Sequence, residues 1–382
     1  HVSRTAAAVR DFIDIECELR DPCPPWHGLD FSPDAARALS FADCPTVSHE
    51  SCDGSHHLSK HSGAKRVVQQ CADIISAQIG RFEPTDWSFK HGPGAVSDLR
   101  VGKDSKYSFP SWSERLESIF PYADFAFSSW SAWADSDIRL DDKFSDEPSS
   151  KLIAVPKTAK TPRLIASEPT SGQWCQQALK DFLTTRVGST AIKKSVKFRS
   201  QSQNQRFALK ASRDKSAWTI DLSSASDRVT CWLVERMFRR NPSVLSALHA
   251  SRTHYIRNSI PGTPSFHIGQ KKFAAMGAAT TFPIQTILFS MVSVACIIYA
   301  RGMKPSIKSI SKVSKEVTIF GDDIIVPSDV GQLVVDVLTD LGLKVNTSKT
   351  FGSGWFRESC GVDAWKGEDV TPSYFLSPYD RA

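Results

Sequence analysis

The chain has 382 residues, of which 41% are hydrophobic and 23% charged, and a net charge of +6. That balance excludes a disordered or low-complexity chain, and the length suffices for two or three packed subdomains. Nine cysteines, an odd number with no Cys-x-x-Cys pair, argue against a disulfide framework and for a reducing, cytosolic setting.

Residues 1–150 read as helix- and loop-rich. The chain opens on His1 with no secretory leader legible, as though part-way through a longer protein. Cys44, His49, Cys52, His56, His57 and His61 gather soft ligands, but their spacing matches no zinc pattern, and the segment reads as a polar loop. Tryptophans cluster at Trp112, Trp130 and Trp133. A Pro- and Ser-containing break at 141–150 closes this region.

Residues 151–215 carry 14 Lys and Arg against 3 Asp and Glu, a local charge of +11 that leaves −5 for the rest of the chain. Leu152-Ile153-Ala154-Val155 and Leu164-Ile165-Ala166 read as short buried strands within it. An ordered basic surface of this kind suits polyphosphate or nucleic acid.

Strand signals recur at Ala217-Trp218-Thr219-Ile220, ahead of Asp221, and at Val317-Thr318-Ile319-Phe320, ahead of Gly321-Asp322-Asp323 and Ile324-Ile325-Val326. Helical segments are expected after Asp227, Thr281 and Ser328. The uncharged run Thr281–Ala300 has the length of a membrane span. Pro283, Gln285, Thr286, Ser290 and Ser293 interrupt it, and chemistry-bearing segments lie on both sides, so a buried helix with no membrane is expected. The whole reads as α+β, with helices on a largely antiparallel sheet.

The chemistry concentrates in carboxylates. Two apolar β-rich runs around Gly321-Asp322-Asp323 predict a hairpin whose turn exposes adjacent aspartates. Neighbouring carboxylates repel, and hard oxygens of this kind suit Mg²⁺ or Mn²⁺. Alone, Gly-Asp-Asp is an ordinary turn. Asp221 at a strand end, followed by Leu222-Ser223-Ser224-Ala225-Ser226-Asp227, is either a helix N-cap or a second carboxylate site. A two-metal phosphoryl transfer needs carboxylates from separate elements, which Asp221, Asp322 and Asp323 would supply. Between them, Met276-Gly277-Ala278-Ala279-Thr280-Thr281 is either a loop entering a core helix or a nucleotide approach permitted by Gly277.

Basic block, Asp-bearing strand, Gly-Thr loop and Gly-Asp-Asp hairpin follow the linear order of polymerase motifs F, A, B and C. From about residue 90 to the end the chain resembles the replicase β subunit of the leviviruses, the positive-strand RNA bacteriophages. The resemblance is carried by Lys151–Thr170, Asp221–Asp227, Lys272–Gly277, Phe320–Ser328, Asn346–Phe351 and Phe356–Gly361, with His91-Gly92-Pro93-Gly94-Ala95 similar to a Gly-Pro-Gly element of the fingers. It implies a right-hand polymerase copying RNA from RNA. Its regions would be an N-terminal part and some of the fingers at 1–150, basic fingers at 151–215, palm at 216–365 and the start of a thumb at 366–382. Only 59 residues follow Asp323, too few for a complete thumb.

The resemblance further implies that Asp221, Asp322 and Asp323 bind two Mg²⁺ (or Mn²⁺) ions. Lys157, Lys160 and Arg163 would grip a ribonucleoside triphosphate, with Gly277 beside it. Ser226, Asp227 and Thr281 would sense the ribose 2′-hydroxyl. Lys349 is a candidate proton donor to pyrophosphate or, equally, the partner of a nearby carboxylate. Arg357 and Glu358 would present the primer or priming nucleotide. Beyond RNA template and product, the family implies host elongation factors Tu and Ts and ribosomal protein S1, in the cytoplasm of an infected bacterium. Two departures stand out: Ala278-Ala279 replace the usual Asn-Gly, and Gln285 stands where leviviruses commonly have Glu. A reverse transcriptase-like polymerase shares the carboxylate logic, though its hairpin usually lacks Gly at position 321. A non-catalytic RNA-binding protein would use the basic block and leave three ordered aspartates unexplained.

Overall fold

Short runs of Ile, Val, Phe and Thr set the sheet content, because β-branched and aromatic side chains fit a pleated, half-buried surface. The computed structural model describes residues 2–19, 61–99, 104–127, 131, 134, 147–156 and 161–373. The cluster from Cys44 to His57, Lys157, Lys160, Trp130, Trp133 and most of the 141–150 break lie outside the described residues.

The described strands are β1 (Ser150–Val155), β2 (Arg163–Ser167), β3 (Ala217–Ile220), β4 (Tyr255–Asn258), β5 (Phe266–Gly269), β6 (Thr318–Phe320), β7 (Asp323–Pro327), β8 (Phe356–Ser359), β9 (Val362–Trp365) and β10 (Glu368–Asp369). They form three sheets, ordered β2-β1-β4-β5, β3-β7-β6 and β10-β9-β8. Every strand pair is antiparallel except β1 with β4. Helices lie between the strands, so the fold class is α+β, as the sequence pattern implies.

The chain divides into two compact units that interleave along the sequence. One is drawn from His1–Pro45, Ala72–Thr190 and Ser224–Leu288, the other from Thr46–Cys71, Ala191–Ser223 and Phe289–Ala382. In the first, Val9 and Phe12 of helix Val2–Glu18 pack with Leu152, Ala166, Ile256 and Ala275, covering the sheet β2-β1-β4-β5. In the second, Ala208 and Ala211 of helix Ser202–Asp214 pack on Ala217 of β3 and Ile325 of β7. Small alanines on that helix face let it lie close to the strands that carry the site.

Helix Thr281–Ala300 is long and apolar enough to cross a membrane by composition alone, yet 89% of its apolar window is buried within the protein. Its polar residues are accommodated locally. Thr286 Oγ1 donates to the Phe282 carbonyl at 2.7 Å, and Ser290 Oγ meets Ser195 Oγ at 2.5 Å. It is a core helix, in line with the sequence reading.

Candidate active site

Strand register builds the site. In the β6–β7 hairpin Phe320 pairs with Asp323, leaving Gly321-Asp322 as a two-residue turn. Gly321 has φ +64°, the conformation such turns require and glycine adopts without penalty. On the other side of β7, β3 runs antiparallel with Ile220 opposite Ile324. Asp221 follows Ile220 and Asp323 precedes Ile324, so the register alone sets the two carboxylates side by side at one end of the sheet. Asp322 sits exposed at the turn between the strands, while Asp221 and Asp323 are half-buried.

Each half-buried carboxylate is held. The Asp221 backbone carbonyl accepts from Asn346 N–H at 2.9 Å, and its Oδ2 accepts from Asn346 Nδ2 at 2.8 Å. Asp323 Oδ1 accepts from Ser359 Oγ at 3.0 Å and from Cys360 N–H at 2.9 Å. That amide is aimed by the β8–β9 turn, in which Cys360 and Gly361 have φ +50° and +76° between the paired Ser359 and Val362. Fully buried Asn204 supports the hairpin from behind, donating through Nδ2 to the Asp323 carbonyl at 3.2 Å and accepting from Thr318 Oγ1 at 2.7 Å.

The electrostatics oppose these bonds. Burial raises the Asp221 carboxyl above the usual range, and the charges of Asp322 and Asp323 push the same way, against the Asn346 bond and Lys349. Asp323 is likewise raised by burial and by Asp322, despite the Cys360 and Ser359 donors. Lys349 Nζ bonds Glu358 Oε1 at 3.0 Å. That bond first, then the field of Glu358, Asp221 and Asp323, holds the ammonium pKa above its ordinary value. Of the two roles left open for Lys349, the pairing is present, and the cation also feels the aspartates.

Among the described residues no group of three or more His, Cys, Asp and Glu side chains is arranged as a ready metal cage. The donor chemistry of the acidic end still fits a hard divalent cation. The charge of Asp322 adds to burial in raising the proton affinity of Asp221 and Asp323, and a cation relieves that repulsion. One oxygen of Asp323 is engaged by Ser359 and Cys360 and one of Asp221 by Asn346, which orients the opposite oxygen of each.

The structure thus gathers Asp221, Asp322, Asp323, Lys349 and Glu358 within one unit. Arg357 departs from its expected primer-facing role. It is fully buried, and its guanidinium donates to the carbonyls of Ala217 at 2.7 Å, Phe356 at 2.6 Å and Ser353 at 3.2 Å. Alternation along β8 turns Glu358 outward and Arg357 inward, so Arg357 fastens the β8 hairpin to β3. Nearby, Trp218 of β3 leaves no room for side chains at Gly331 or Gly352, where a Cβ would stand 2.3 and 2.0 Å from its ring.

The remaining candidates belong to the other unit. Arg163 is exposed at the start of β2. Gly277, with φ +125°, lies tight against a neighbouring strand: a Cβ there would stand 2.0 Å from the Ala166 carbonyl oxygen, and Ala166 N–H bonds the Met276 carbonyl at 2.6 Å. Thr281 Oγ1 donates to the Ala275 carbonyl at 2.8 Å, closing the loop at the helix start. Ser226 is buried, and Asp227 accepts from the buried Lys272 ammonium at 3.0 Å. Sequence reasoning missed Asn204 and the Cys360 amide as site residues. A consecutive Cys-Gly after a short strand was the available signal for the latter, as a tight turn with an outward amide.

An α+β fold carrying a carboxylate hairpin beside a second aspartate strand defines a class, and comparison with known proteins narrows it. Residues 43–381 match the family described as RNA replicase, beta-chain. The chain is 34% identical over 230 residues to the RNA-directed RNA polymerase beta chain of Escherichia phage MS2, a match covering 60% of this chain and 38% of that one. It is 33% identical over 253 residues to the RNA-directed RNA polymerase subunit beta of Escherichia virus Qbeta, covering 64% and 38%. Against the RNA-directed RNA polymerase beta chain of Enterobacteria phage GA it is 33% identical over 381 residues, covering 95% of this chain and 66% of the relative. The chain belongs to the RNA replicase beta-chain family. It spans less than two fifths of the MS2 and Qbeta relatives and 66% of the GA relative.

Proposed function

We propose that this chain is the catalytic part of an RNA-directed RNA polymerase, joining ribonucleotides on an RNA template by attack of a 3′-hydroxyl on the α-phosphate of a nucleoside triphosphate. The observation that carries this reading is the register that brings Asp221 beside Asp323 at the end of the Gly321-Asp322 hairpin. In this reading residues 216–365, which carry these carboxylates, are the palm of a right-hand polymerase, and the basic block 151–215 belongs to the fingers.

Asp221, Asp322 and Asp323 would hold two Mg²⁺ (or Mn²⁺) ions, which when bound supply Lewis acidity at the attacking hydroxyl and at the leaving phosphates. The protein's own part is to fix the carboxylates. Asn346 orients Asp221, and the Cys360 amide and Ser359 orient Asp323. The strengthened proton affinity of Lys349 keeps it an ammonium at neutral pH, within the field of the aspartates, where a proton can be delivered to the departing pyrophosphate. Outward-turned Glu358, tied to Lys349, would be the residue of β8 that meets a priming nucleotide. Lys157, Lys160 and Arg163 would grip the triphosphate, since cations bind phosphate oxygens through charge-assisted bonds. Ser226, Asp227 and Thr281 would lie toward the ribose. The setting is the cytoplasm of an infected bacterium, with elongation factors Tu and Ts and ribosomal protein S1 as partners.

A magnesium-dependent extension assay with all four ribonucleotides on an RNA template tests the reading. Asp322→Ala is expected to abolish incorporation and to leave RNA binding intact, because Asp322 is an exposed turn residue whose loss disturbs no packing. Incorporation at the parental rate by that variant overturns the assignment.

A further inference from the structure

Between Asp181 and Asp214 the sequence contains eight Lys and Arg and no acidic residue. Lys193, Lys194, Lys197 and Arg199 fall in the part of this stretch that belongs to the carboxylate-bearing unit. Lys193, Lys194 and Arg199 are exposed and Lys197 is half-buried. Some other surface cations of the same unit are matched with acids: Lys210 with Asp214, Arg301 with Glu316 and Asp329, Lys349 with Glu358. None of the four has a carboxylate partner among the described residues. An ordinary solvated face interleaves both signs, whereas this one concentrates a single sign.

The backbone under these cations is fixed to the catalytic hairpin. Val196 bridges Ile319 in parallel, with Ile319 N–H donating to the Ser195 carbonyl at 2.8 Å and Lys197 N–H to the Ile319 carbonyl at 3.2 Å. The segment thus makes one bridge at the β6 edge of the sheet β3-β7-β6. The bridge is parallel, so the chain passes Ile319 in the direction in which β6 leads to Gly321-Asp322, and it then bends at Phe198-Arg199. Ser195 is anchored in turn to Ser290 at 2.5 Å. Helix Ser202–Asp214 follows, with no cap from the Gln201 side chain and no acid in its first turn; the Ser202 N–H donates to Ser200 Oγ at 3.3 Å, and the positive end of the helix dipole closes the strip. Asn204 in that first turn is bonded to the Asp323 carbonyl, so the far end of the strip is also tied to the hairpin.

We propose that Lys193, Lys194, Lys197 and Arg199, together with the N-terminal end of helix Ser202–Asp214, bind the phosphodiester backbone of an RNA strand and hold it in fixed register to the Asp322 turn. That the polyanion is RNA rests on the polymerase reading above; the phosphate chemistry of the strip does not. Guanidinium and ammonium groups on a rigid edge suit consecutive phosphates, whereas a free triphosphate would engage fewer of them.

The test measures binding of a fluorescein-labelled single-stranded RNA oligonucleotide by anisotropy across a series of NaCl concentrations. The variant Lys193→Gln/Lys194→Gln/Lys197→Gln/Arg199→Gln is expected to bind more than about tenfold more weakly at low salt. Its slope of log affinity against log salt is expected to fall by up to about 3, from ~0.7 for each single-strand phosphate that is no longer neutralised. A control with the same charge change in the same unit, Lys304→Gln/Lys308→Gln/Lys312→Gln/Lys315→Gln, is expected to keep the parental slope. An unchanged slope in the first variant, or an equal fall in both, overturns the proposal. So does a raised KM for ribonucleotides with RNA binding unchanged, which would make the strip a triphosphate site. Parental Tm in the first variant shows that the fold is intact. If the parental protein shows no magnesium-dependent incorporation while the strip variant still loses its salt slope, the polymerase reading falls and the strip stands.

Discussion

Two charged clusters in this protein follow opposite rules. Around Lys272 opposite charges close on one another: its ammonium is fully buried, 3.0 Å from Asp227 and 3.4 Å from Glu16, and lies over the Phe12 ring at 3.5 Å. Glu16 also accepts from the backbone N–H groups of Lys271 and Lys272. At the Asp322 turn three like charges converge, and each half-buried carboxylate keeps an elevated proton affinity in spite of its donors. The first cluster is satisfied within the fold and ties helix Val2–Glu18 to the segment bearing Asp227. The second is left unbalanced, which is what a site awaiting a cation and phosphates requires.

Breaking the satisfied cluster should cost most. Lys272→Met removes the cation and leaves Glu16 and Asp227 facing each other, a loss of about 3–5 kcal/mol for a buried pair stripped of one partner. Thermal or urea unfolding reads it. The double variant Glu16→Gln/Lys272→Met should recover part of the loss, since it removes one stranded charge as well. Equal stability of Lys272→Met and parent would show that the cluster does not tie the helix to the Asp227 segment.

At the unbalanced cluster the same operation should change sign. Asp323→Asn keeps an oxygen for Ser359 and the Cys360 amide but removes a charge from between Asp221 and Asp322. In the parent the folded state holds the Asp323 proton more tightly than the unfolded chain does. As pH rises from the unfolded carboxylate pKa through the raised folded one, that proton is lost and this residue's contribution to stability falls. The variant has no such loss, so its Tm advantage over the parent should grow across that window and persist at neutral pH. Incorporation should drop by at least roughly 10²-fold, the scale attached to one preorganised electrostatic group. Millimolar Mg²⁺ should raise the parental Tm more than the variant's. A variant less stable than the parent at neutral pH would contradict the like-charge account.

The contrast also explains what could be read from the sequence alone. The hairpin was legible because Val317–Phe320 and Ile324–Val326 are β-branched runs flanking a Gly that supplies the turn, and these are local signals. Asp221 was legible because the strand Ala217–Ile220 ends on it. What holds the carboxylates was not, since Asn346 lies 125 positions from Asp221 and Asn204 lies 119 from Asp323, so only the folded register joins them. Arg357 shows the reverse error. A cation beside a site suggests a ligand, but strand alternation turned it inward, where backbone carbonyls take up its guanidinium donors. At Gly277 the fold adds a close approach that no local signal gives, the backbone of β2.

The smallest effect separates the two roles of Lys349. Its bond to Glu358 joins two partly exposed side chains, 52% and 30% exposed, so Lys349→Met should cost no more than about 1 kcal/mol of stability. Because the folded ammonium pKa is raised, that contribution is present below the unfolded lysine value and lost only as pH climbs through the folded one, so at neutral pH it is complete. If Lys349 serves only to hold Glu358, Lys349→Met and Glu358→Gln should depress incorporation alike, and the parental rate should carry no alkaline limb from the lysine. If the ammonium delivers a proton to pyrophosphate, Lys349→Met should lower the rate by roughly 10²–10⁴-fold, the range for a positioned general acid, and remove that limb, while Glu358→Gln keeps most of the rate and shifts the limb to lower pH. The downward shift follows from losing the partner that raises the lysine pKa, so it is a readout that a purely structural pairing would not move.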